Sequence, residues 1–403
     1  MRAAHWPVQR HANAKLLVVD GSGRVTHRPA RDLAWVLRSG DLVVANDAAT
    51  LPASLAGVHA STGRAIEVRL AGRESLEAVA DFAAIVFGEG DFRTPTEERP
   101  PPPALHAGDT LTLGPLAATI TRVLGHPRFV RLHFEGSADA IREGLARHGR
   151  PIQYAHLAMP LALWASWTPI AAAPVAFEAP SASFVLGWQM LADIAARGIG
   201  FVTITHAAGI SSTGDARLDA LLPFDEVYRI SPSAAGAIER ARASGGRIIA
   251  VGTTVVRALE HAALHGSGRV SAGAGVATQR IGPDTRLRVV DVLLSGTHER
   301  GSSHYEMLRA FTRDATLERI AGELEMHDYR SHEFGDSVLL ERAHESRPTA
   351  DAEPSCDPAR ERSSAQRRLS PAGCRPDLPR LSAGPQTSGA GSSPGCVHAS
   401  RCP

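Results

Sequence analysis

The chain has 403 residues, of which 43% are hydrophobic and 21% charged, and its formal net charge is +1 at pH 7. These proportions are typical of a globular protein, and the near-neutral charge means that any nucleic-acid contact must come from local arginine clusters. The sequence contains no apolar signal segment and no run close to the ~20 apolar residues of a membrane span. We therefore expect a cytoplasmic protein without membrane contact.

The first elements are predicted strands on either side of a short helix. Residues 14–20 (AKLLVVD) and 41–47 (DLVVAND) are apolar and β-branched, which favours strands, and the helix is expected around Asp32–Leu37. After Gly57 the pattern changes to short alternating strands separated by turn residues, which is typical of a small antiparallel barrel or sandwich. The proline-rich run at 98–104 must be a loop, because proline cannot donate to a sheet.

From about residue 139 predicted helices and strands alternate again, which indicates a largely parallel sheet covered by helices. The predicted fold is therefore α/β: a mainly parallel sheet domain with helices on both faces, interrupted by an inserted small antiparallel β-barrel domain. The α/β domain would comprise residues 1–58 and 150–345, and the barrel residues 59–149.

The C-terminal part has a different composition. From about residue 346 apolar side chains become sparse while Pro, Ser, Gly and Arg accumulate, so residues 346–403 are predicted to be disordered. This segment contains all four cysteines of the chain, and their spacing matches no zinc-binding pattern: Cys356, Cys374, Cys396 and Cys402. The globular part is therefore expected to have neither a disulfide nor a thiolate nucleophile, and the spacing of its polar residues indicates no metal site.

The most informative motif is RIIAVGTTVVRALE at residues 247–260, which predicts a buried strand ending at Gly252 and turning directly into a helix. Thr253 and Thr254 stand where the N-cap of this helix is expected. The N–H groups at such a helix start can bind a carboxylate or phosphate, although many strand–glycine–helix turns hold no ligand.

Two other predicted strands end in polar residues. Asn46 and Asp47 follow one strand and either bind a ribose hydroxyl or form an Asx turn with their own backbone. His206 follows the strand FVTIT, where its imidazole either transfers protons near neutral pH or bonds a loop carbonyl. Ligands collect outside the carboxyl ends of parallel strands, which favours a functional role for these side chains.

Six further segments occur with this motif, and together, in their order along the chain, they resemble a known protein family. They are DLVVANDAATLPASLAG (41–57), HGRPIQYAHL (148–157), APSASF (179–184), FVTITHAAGIS (201–211), LSGTHERGSSHYEMLRAF (294–311) and YRSHEFGDSVLL (329–340). With AVGTTVVRALE they resemble the S-adenosylmethionine:tRNA ribosyltransferase-isomerase family of queuosine biosynthesis, from about residue 10 to about residue 342. The resemblance implies the same two-domain build.

The resemblance also implies a reaction. Enzymes of this family move the ribosyl moiety of S-adenosylmethionine onto 7-aminomethyl-7-deazaguanine in tRNA, forming epoxyqueuosine and releasing adenine and methionine. The expected partners are S-adenosylmethionine as co-substrate and the anticodon region of tRNA, with no permanently bound cofactor or metal, and the oligomeric state is open. Arginines that would track tRNA phosphates are Arg122, Arg128, Arg131, Arg142, Arg147 and Arg150.

Matching positions imply the site residues. The expected catalytic residues are His206, His298 and Glu226. The expected substrate-binding residues are Asn46, Asp47, Thr253, Thr254, Arg257, Ser302 and Asp336. Arg257 and Asp336 also have alternatives: Arg257 pairs with a substrate carboxylate or forms a salt bridge to Glu260 or Asp291, and Asp336 accepts from a ribose or an amine or is a turn residue.

The sequence departs from the family pattern at several positions. Histidines expected just before Glu226 are replaced by Leu222 and Phe224, and another expected histidine by Val185. Gly296 and Thr297 replace an Asn-Phe pair before His298. These replacements leave two alternatives to the family reaction: a diverged homologue that keeps a nucleoside pocket but has another substrate or no catalysis, and a protein that holds tRNA without modifying it.

Overall fold

The computed structural model describes residues 1–298 and 300–343. The predicted disordered segment 346–403, with the four cysteines, lies outside the described residues. Among the helices of the described part, none is both long and apolar enough to cross a membrane.

The described strands and helices are as follows, in chain order. The strands are β1 (Arg2–Ala3), β2 (Lys15–Val19), β3 (Val25–Pro29), β4 (Leu42–Asn46), β5 (Ala49–Thr50), β6 (Ser54–His59), β7 (Ala65–Gly72), β8 (Asp81–Phe87), β9 (Thr110–Leu113), β10 (Leu116–Val123), β11 (Phe129–Phe134), β12 (Pro174–Ala176), β13 (Gly200–His206), β14 (Glu226–Ile230), β15 (Ile248–Val251), β16 (Gly273–Ala277), β17 (Val292–Gly296), β18 (Arg330–Ser331) and β19 (Ser337–Glu341). The α-helices are α1 (Leu33–Val36), α2 (Ala138–His148), α3 (Trp188–Ala196), α4 (Ala216–Asp219), α5 (Pro232–Ala243), α6 (Thr253–His265), α7 (Ser303–Leu308) and α8 (Asp314–Met326). Short 3₁₀ helices cover Val8–Arg10, Ala30–Asp32, Thr96–Glu98, Leu163–Ser166 and Ser181–Val185.

The main sheet has nine strands in the order β16-β14-β13-β4-β15-β17-β19-β2-β3. Its centre, β13-β4-β15-β17, is parallel, as is the β19-β2 pair, while the remaining neighbours are antiparallel. The predicted α/β class is confirmed, but the sheet is mixed rather than mainly parallel. The antiparallel strands β14, β16 and β19 were not expected from the sequence, because they are short and form by pairing with strands distant in the chain.

Helices cover both faces of this sheet, as predicted. In β4, Leu42 and Val44 pack with α5, α6 and α8 on one face, whereas Val43 and Ala45 pack with α1 and α3 on the other. Alternating side chains of a strand point to opposite faces, so a strand buried on both faces must be apolar throughout. The continuous apolar runs of β4 and β15 have this cause.

The inserted domain is a closed antiparallel barrel with the strand order β10-β11-β8-β7-β6-β9. Its first strand begins at Ser54, before the predicted boundary at residue 59. Helix α2 packs on the barrel, where a side chain larger than glycine at Gly144 would collide with Leu116. The proline-rich run is irregular after Thr96–Glu98, as expected, and Pro100 O accepts a bond from Gly88 N at 2.9 Å.

Candidate active site

A cleft of about 360 Å³ opens at the carboxyl ends of the parallel strands. Segments following β13, β15 and β17 meet there, as the topology of an open α/β sheet requires. The cleft is lined mainly by segments 178–182, 208–212, 252–254, 295–298, 302–304 and 332–333. Sequence elements far apart in the chain therefore line one cleft.

The start of helix α6 forms one wall of the cleft. Gly252 is its N-cap and has a φ of 94°, a left-handed conformation that favours glycine. The N-cap prediction for Thr253 and Thr254 was wrong: both are first-turn helical residues, and both line the cleft. First-turn N–H groups have no acceptor within their helix, so this 13-residue helix presents the positive end of its dipole to the site.

An ion pair between Glu226 and Arg257 forms another part of the lining. Arg257 Nη1 donates to Glu226 Oε2, and the guanidinium also donates to Ala277 O at 2.7 Å. The other carboxylate oxygen, Glu226 Oε1, accepts from Gly209 N at 2.5 Å. The pair is almost fully buried and its polar atoms already have protein partners, so the contacts favour a positioning role over direct binding of a substrate carboxylate.

The alternative salt bridges considered for Arg257 were wrong. Glu260 accepts the N–H groups of residues 288–290, the last of them at 2.9 Å. Asp291 instead pairs with Arg342 at 3.0 Å.

His206 does not line the cleft. It is fully buried beside Glu226, whose Oε2 lies 3.5 Å from His206 Nε2, and its ring stacks on Tyr228. Burial lowers the pKa of His206 to about 4, with the nearby Arg257 charge acting in the same direction and Glu226 opposing it. A neutral, enclosed imidazole contradicts the expectation of a group that titrates near neutrality at the site.

The side chains of Asn46 and Asp47 are hydrogen-bonded within the protein, Asn46 to backbone groups and Asp47 to hydroxyls on β13. Asn46 Nδ2 donates to His206 O at 2.9 Å, and Asn46 Oδ1 accepts from Ala48 N at 3.1 Å, which is an Asx turn. Asp47 accepts from the hydroxyls of Thr203 and Thr205, each at 2.7 Å. The predicted ribose contacts of both residues are therefore corrected, because their polar atoms are committed to β13 and to the turn.

Asp336 is also structural. Its Oδ1 accepts from Lys15 N at 2.7 Å and its Oδ2 from Arg330 N at 2.8 Å. The side chain is buried between β2 and the start of the loop that precedes β19, away from the cleft lining. The turn alternative is correct, and the predicted ribose contact is wrong.

His298 and Ser302 do line the cleft, as predicted. His298 Nε2 lies 2.7 Å from Ser295 Oγ, and its ring stacks on His304 with centroids 4.7 Å apart. Burial, together with His304 and His332, holds the pKa of His298 well below its ordinary value. The imidazole is therefore neutral at pH 7. Ser302 caps α7 by accepting from Tyr305 N at 3.1 Å.

The sequence-based prediction missed Glu178. This cleft residue accepts hydrogen bonds through Oε1 from Tyr154 Oη and from Ser211 N, the latter at 3.1 Å. Burial raises the pKa of Glu178 to about 7, against the opposing effect of these hydrogen bonds. A carboxyl group poised near neutrality suits proton transfer, and no local sequence pattern marks it.

The arginines proposed to track tRNA phosphates are largely engaged within the protein. Arg131 pairs with Glu74, and Arg142 and Arg147 pair with acidic residues of their own helix. Arg128 lies over the Phe87 ring, 4.3 Å from its centroid. These contacts weaken the case for a basic platform on the barrel.

Comparison with known proteins identifies the family. The model of the family described as queuosine biosynthesis protein matches residues 1–340. The S-adenosylmethionine:tRNA ribosyltransferase-isomerase of Azoarcus sp. (strain BH72) is 34% identical over 349 residues, covering 84% of this chain and 94% of that protein. The enzyme of the same name from Gloeobacter violaceus is 32% identical over 358 residues, covering 84% and 92%. The chain belongs to the queuosine biosynthesis protein family.

A solved structure is also similar to this family member. The S-adenosylmethionine tRNA ribosyltransferase of Thermotoga maritima has 21% sequence identity and a TM-score of 0.44, covering 84% of this chain and 95% of that one. The family resemblance read from the sequence motifs is confirmed by the family match.

The three positions at which histidines were expected, Leu222, Phe224 and Val185, are packed in apolar surroundings. Leu222 packs between the barrel and the sheet, Phe224 stacks on Phe129 with centroids 4.5 Å apart, and Val185 is buried in the core beside α3. The polar lining of the cleft includes Glu178, His298, His304 on α7 and His332 on the loop before β19.

Proposed function

We propose that the cleft is the active site of an S-adenosylmethionine-dependent tRNA ribosyltransferase-isomerase. The reaction transfers the ribosyl moiety of S-adenosylmethionine onto 7-aminomethyl-7-deazaguanine in tRNA, forming epoxyqueuosine and releasing adenine and methionine. The observation that carries the proposal is the meeting of Glu178, His298 and the start of α6 in one cleft of about 360 Å³. Family membership supports the reaction class.

The start of α6 is the proposed anchor for the methionine carboxylate. A helix N-terminus favours an anion through its free N–H groups and its dipole, and Thr253 and Thr254 add two hydroxyls. This assignment replaces Arg257, whose guanidinium is held by Glu226 and by backbone carbonyls. Arg257 and Glu226 would then fix the wall behind the anchor.

Proton transfer is assigned to Glu178, and hydrogen bonding to the substrate is assigned to His298. The reaction needs a base that removes a proton and an acid that assists the departing adenine. Glu178 has a pKa close to the working pH, which suits it to act as the base. The neutral His298 imidazole, bonded to Ser295, suits hydrogen bonding to the substrate.

S-adenosylmethionine would enter as a co-substrate, and tRNA would present its anticodon region at the mouth of the cleft. A tRNA substrate would place the reaction in the cytoplasm. The names of the relatives support both substrates.

The decisive experiment uses S-adenosylmethionine labelled separately in the adenine and in the methionine carboxyl group, with tRNA that carries 7-aminomethyl-7-deazaguanine. We expect equal release of free adenine and free methionine, because ribosyl transfer breaks both bonds. Accumulation of S-adenosylhomocysteine would instead demonstrate methyl transfer and contradict the proposal.

A diverged homologue with another substrate is the second candidate, favoured by the apolar Leu222, Phe224 and Val185 at positions where histidines were expected. It would bind S-adenosylmethionine in calorimetry without releasing either product. A protein that only holds tRNA would show no affinity for S-adenosylmethionine and a steep decrease of tRNA affinity with salt.

Replacing His298 with alanine is expected to lower turnover at least about tenfold, because the substitution removes a cleft hydrogen-bonding group held by Ser295. The measurement is steady-state turnover at saturating S-adenosylmethionine. His106→Ala is the matched control, since that histidine is 75% exposed on the barrel. Full activity of the His298 variant would remove this residue from the mechanism.

A further inference from the structure

Three potential metal ligands from distant parts of the chain meet beside the cleft. The ligand atoms of His156, His332 and Glu333 all lie within 4.8 Å of one another. The rings of His156 and His332 stack with centroids 4.4 Å apart, and His156 Nε2 lies 3.3 Å from Glu333 Oε1. No spacing rule could have found this group, because its members are separated by more than half of the folded chain.

The environment of His156 indicates that this group is more than an ion pair. Its side chain is 15% exposed, and its Nε2 atom is buried without a hydrogen-bond partner among the described residues despite the nearby carboxylate. A buried polar atom without a hydrogen bond is costly, and metal coordination would satisfy it. His332 and Glu333 both line the cleft.

We propose that His156, His332 and Glu333 bind a divalent transition-metal ion of the zinc class at the wall of the cleft. Two imidazoles and one carboxylate are a donor set that zinc uses in open sites, whereas magnesium and calcium prefer oxygen ligands alone. A bound ion would keep a coordination position towards the cleft for a substrate oxygen. This metal-site proposal does not depend on whether the cleft catalyses the family reaction.

The loop that carries two of the ligands is held firmly in place. Asp336 accepts from Arg330 N and Lys15 N at its base, and Gln9 Nε2 donates to Gly335 O at 2.6 Å. Val8 N donates to Phe334 O at 2.9 Å. Hydrogen bonds that fix the loop also orient the metal ligands that it carries, which increases metal affinity. The buried Asp336 therefore has a positioning role.

His332 has a φ of 68°, in the left-handed region where asparagine, aspartate and histidine are the commoner residues besides glycine. A substitution of His332 therefore has to tolerate this backbone conformation.

A second cluster, His27, Glu323 and His327, supplies the matched control. It lies on the surface away from the cleft, and both ring nitrogens of His27 already have partners: Nδ1 lies 3.0 Å from Tyr329 Oη and Nε2 3.2 Å from Glu323 Oε2. The ring nitrogens of His27 are therefore already hydrogen-bonded, and a metal ion at this cluster would not face the cleft.

The test is titration of the full-length protein with ZnCl₂ by calorimetry, after removal of metal with a chelator. The background carries serine at Cys356, Cys374, Cys396 and Cys402, since thiolates bind zinc independently. The variants are His332→Asn, which tolerates the left-handed backbone, Glu333→Gln, and the control His327→Ala. Co²⁺ absorption spectra report the coordination geometry, and thermal unfolding checks that each variant is folded.

We expect His332→Asn and Glu333→Gln each to weaken binding of one equivalent of Zn²⁺ by at least about tenfold. Loss of a group that only hydrogen-bonds to a metal ligand typically weakens binding by about tenfold to a hundredfold, and loss of a ligand itself should cost no less. His327→Ala is expected to retain this equivalent. Binding that is unchanged in the first two variants, binding lost only in His327→Ala, or no binding by the parent protein would each overturn the proposal. If His332→Asn fails to fold, the isosteric Glu333→Gln decides the question.

Discussion

Replacing Glu178 with glutamine is expected to lower turnover by ~10²–10⁴-fold, the usual contribution of a positioned acid or base. Glutamine keeps the shape of the side chain but can neither accept nor release a proton at neutral pH. The expected effect on the affinity for S-adenosylmethionine is small, so the change should appear in kcat rather than in KM.

The pH profile gives this prediction a signature that a structural role would not produce. Burial raises the pKa of Glu178 to about 7, so a base at this position gives a rate that rises with pH and levels off above about 7. The rising limb is expected to disappear in Glu178→Gln. Tyr154→Phe removes a hydrogen bond that stabilises the ionised carboxylate, so it should move the limb to higher pH.

The matched control is Glu143→Gln, a substitution of a glutamate that is 61% exposed on α2. It is expected to leave both turnover and the pH profile unchanged. A Glu178→Gln enzyme with the turnover and rising limb of the parent would exclude Glu178 as the base.

Replacing Arg257 with methionine is expected to lower the free energy of unfolding by about 3–5 kcal/mol, because removing one partner of a buried ion pair leaves the other charge uncompensated. Arg257 is only 2% exposed, and the variant would leave the buried Glu226 carboxylate without its cationic partner. The loss also removes the hydrogen bonds to Ala277 O and to neighbouring carbonyls. The measurement is equilibrium unfolding in urea.

An exposed ion pair provides the control for this second prediction. Arg269 is 74% exposed and pairs with Glu239 at 3.1 Å, so Arg269→Met should cost no more than about 1 kcal/mol. The double variant Arg257→Met, Glu226→Gln should lose less stability than the sum of the two single variants, because no unpaired charge remains. A loss of less than about 1 kcal/mol in Arg257→Met would show that the pair does not hold the site together.

Much of the fold follows from local patterns in the sequence. The strands β2, β4 and β15 and the helix α1 are close to their predicted positions, because apolar periodicity and turn residues act over a few neighbours. The motif at 247–260 predicted a strand, a glycine turn and a helix correctly, but not the identity of the N-cap. The antiparallel strands β14, β16 and β19 of the main sheet were missed, since long-range pairing rather than local preference stabilises them.

The site prediction also succeeded where it depended on local sequence and failed where it depended on neighbours in space. The sequence placed His298, Ser302, Thr253 and Thr254 correctly at the cleft, because the carboxyl ends of parallel strands meet at one edge of the sheet. It could not tell that His206 turns inward beside Glu226, where burial lowers the pKa of the imidazole to about 4.

By itself, the sequence determined the family, the α/β domain with its inserted barrel, and the edge of the sheet at which the site forms. Only the tertiary structure decided which polar side chains reach the cleft and which are hydrogen-bonded elsewhere, as Asn46 and Asp336 are to the backbone and Asp47 is to the hydroxyls of β13. It also decided that Glu178 is poised near neutrality and that His156 meets the loop at 332–333. The physical reason is that desolvation, ion pairing and hydrogen bonding depend on neighbours in space, which residue order along the chain does not encode locally.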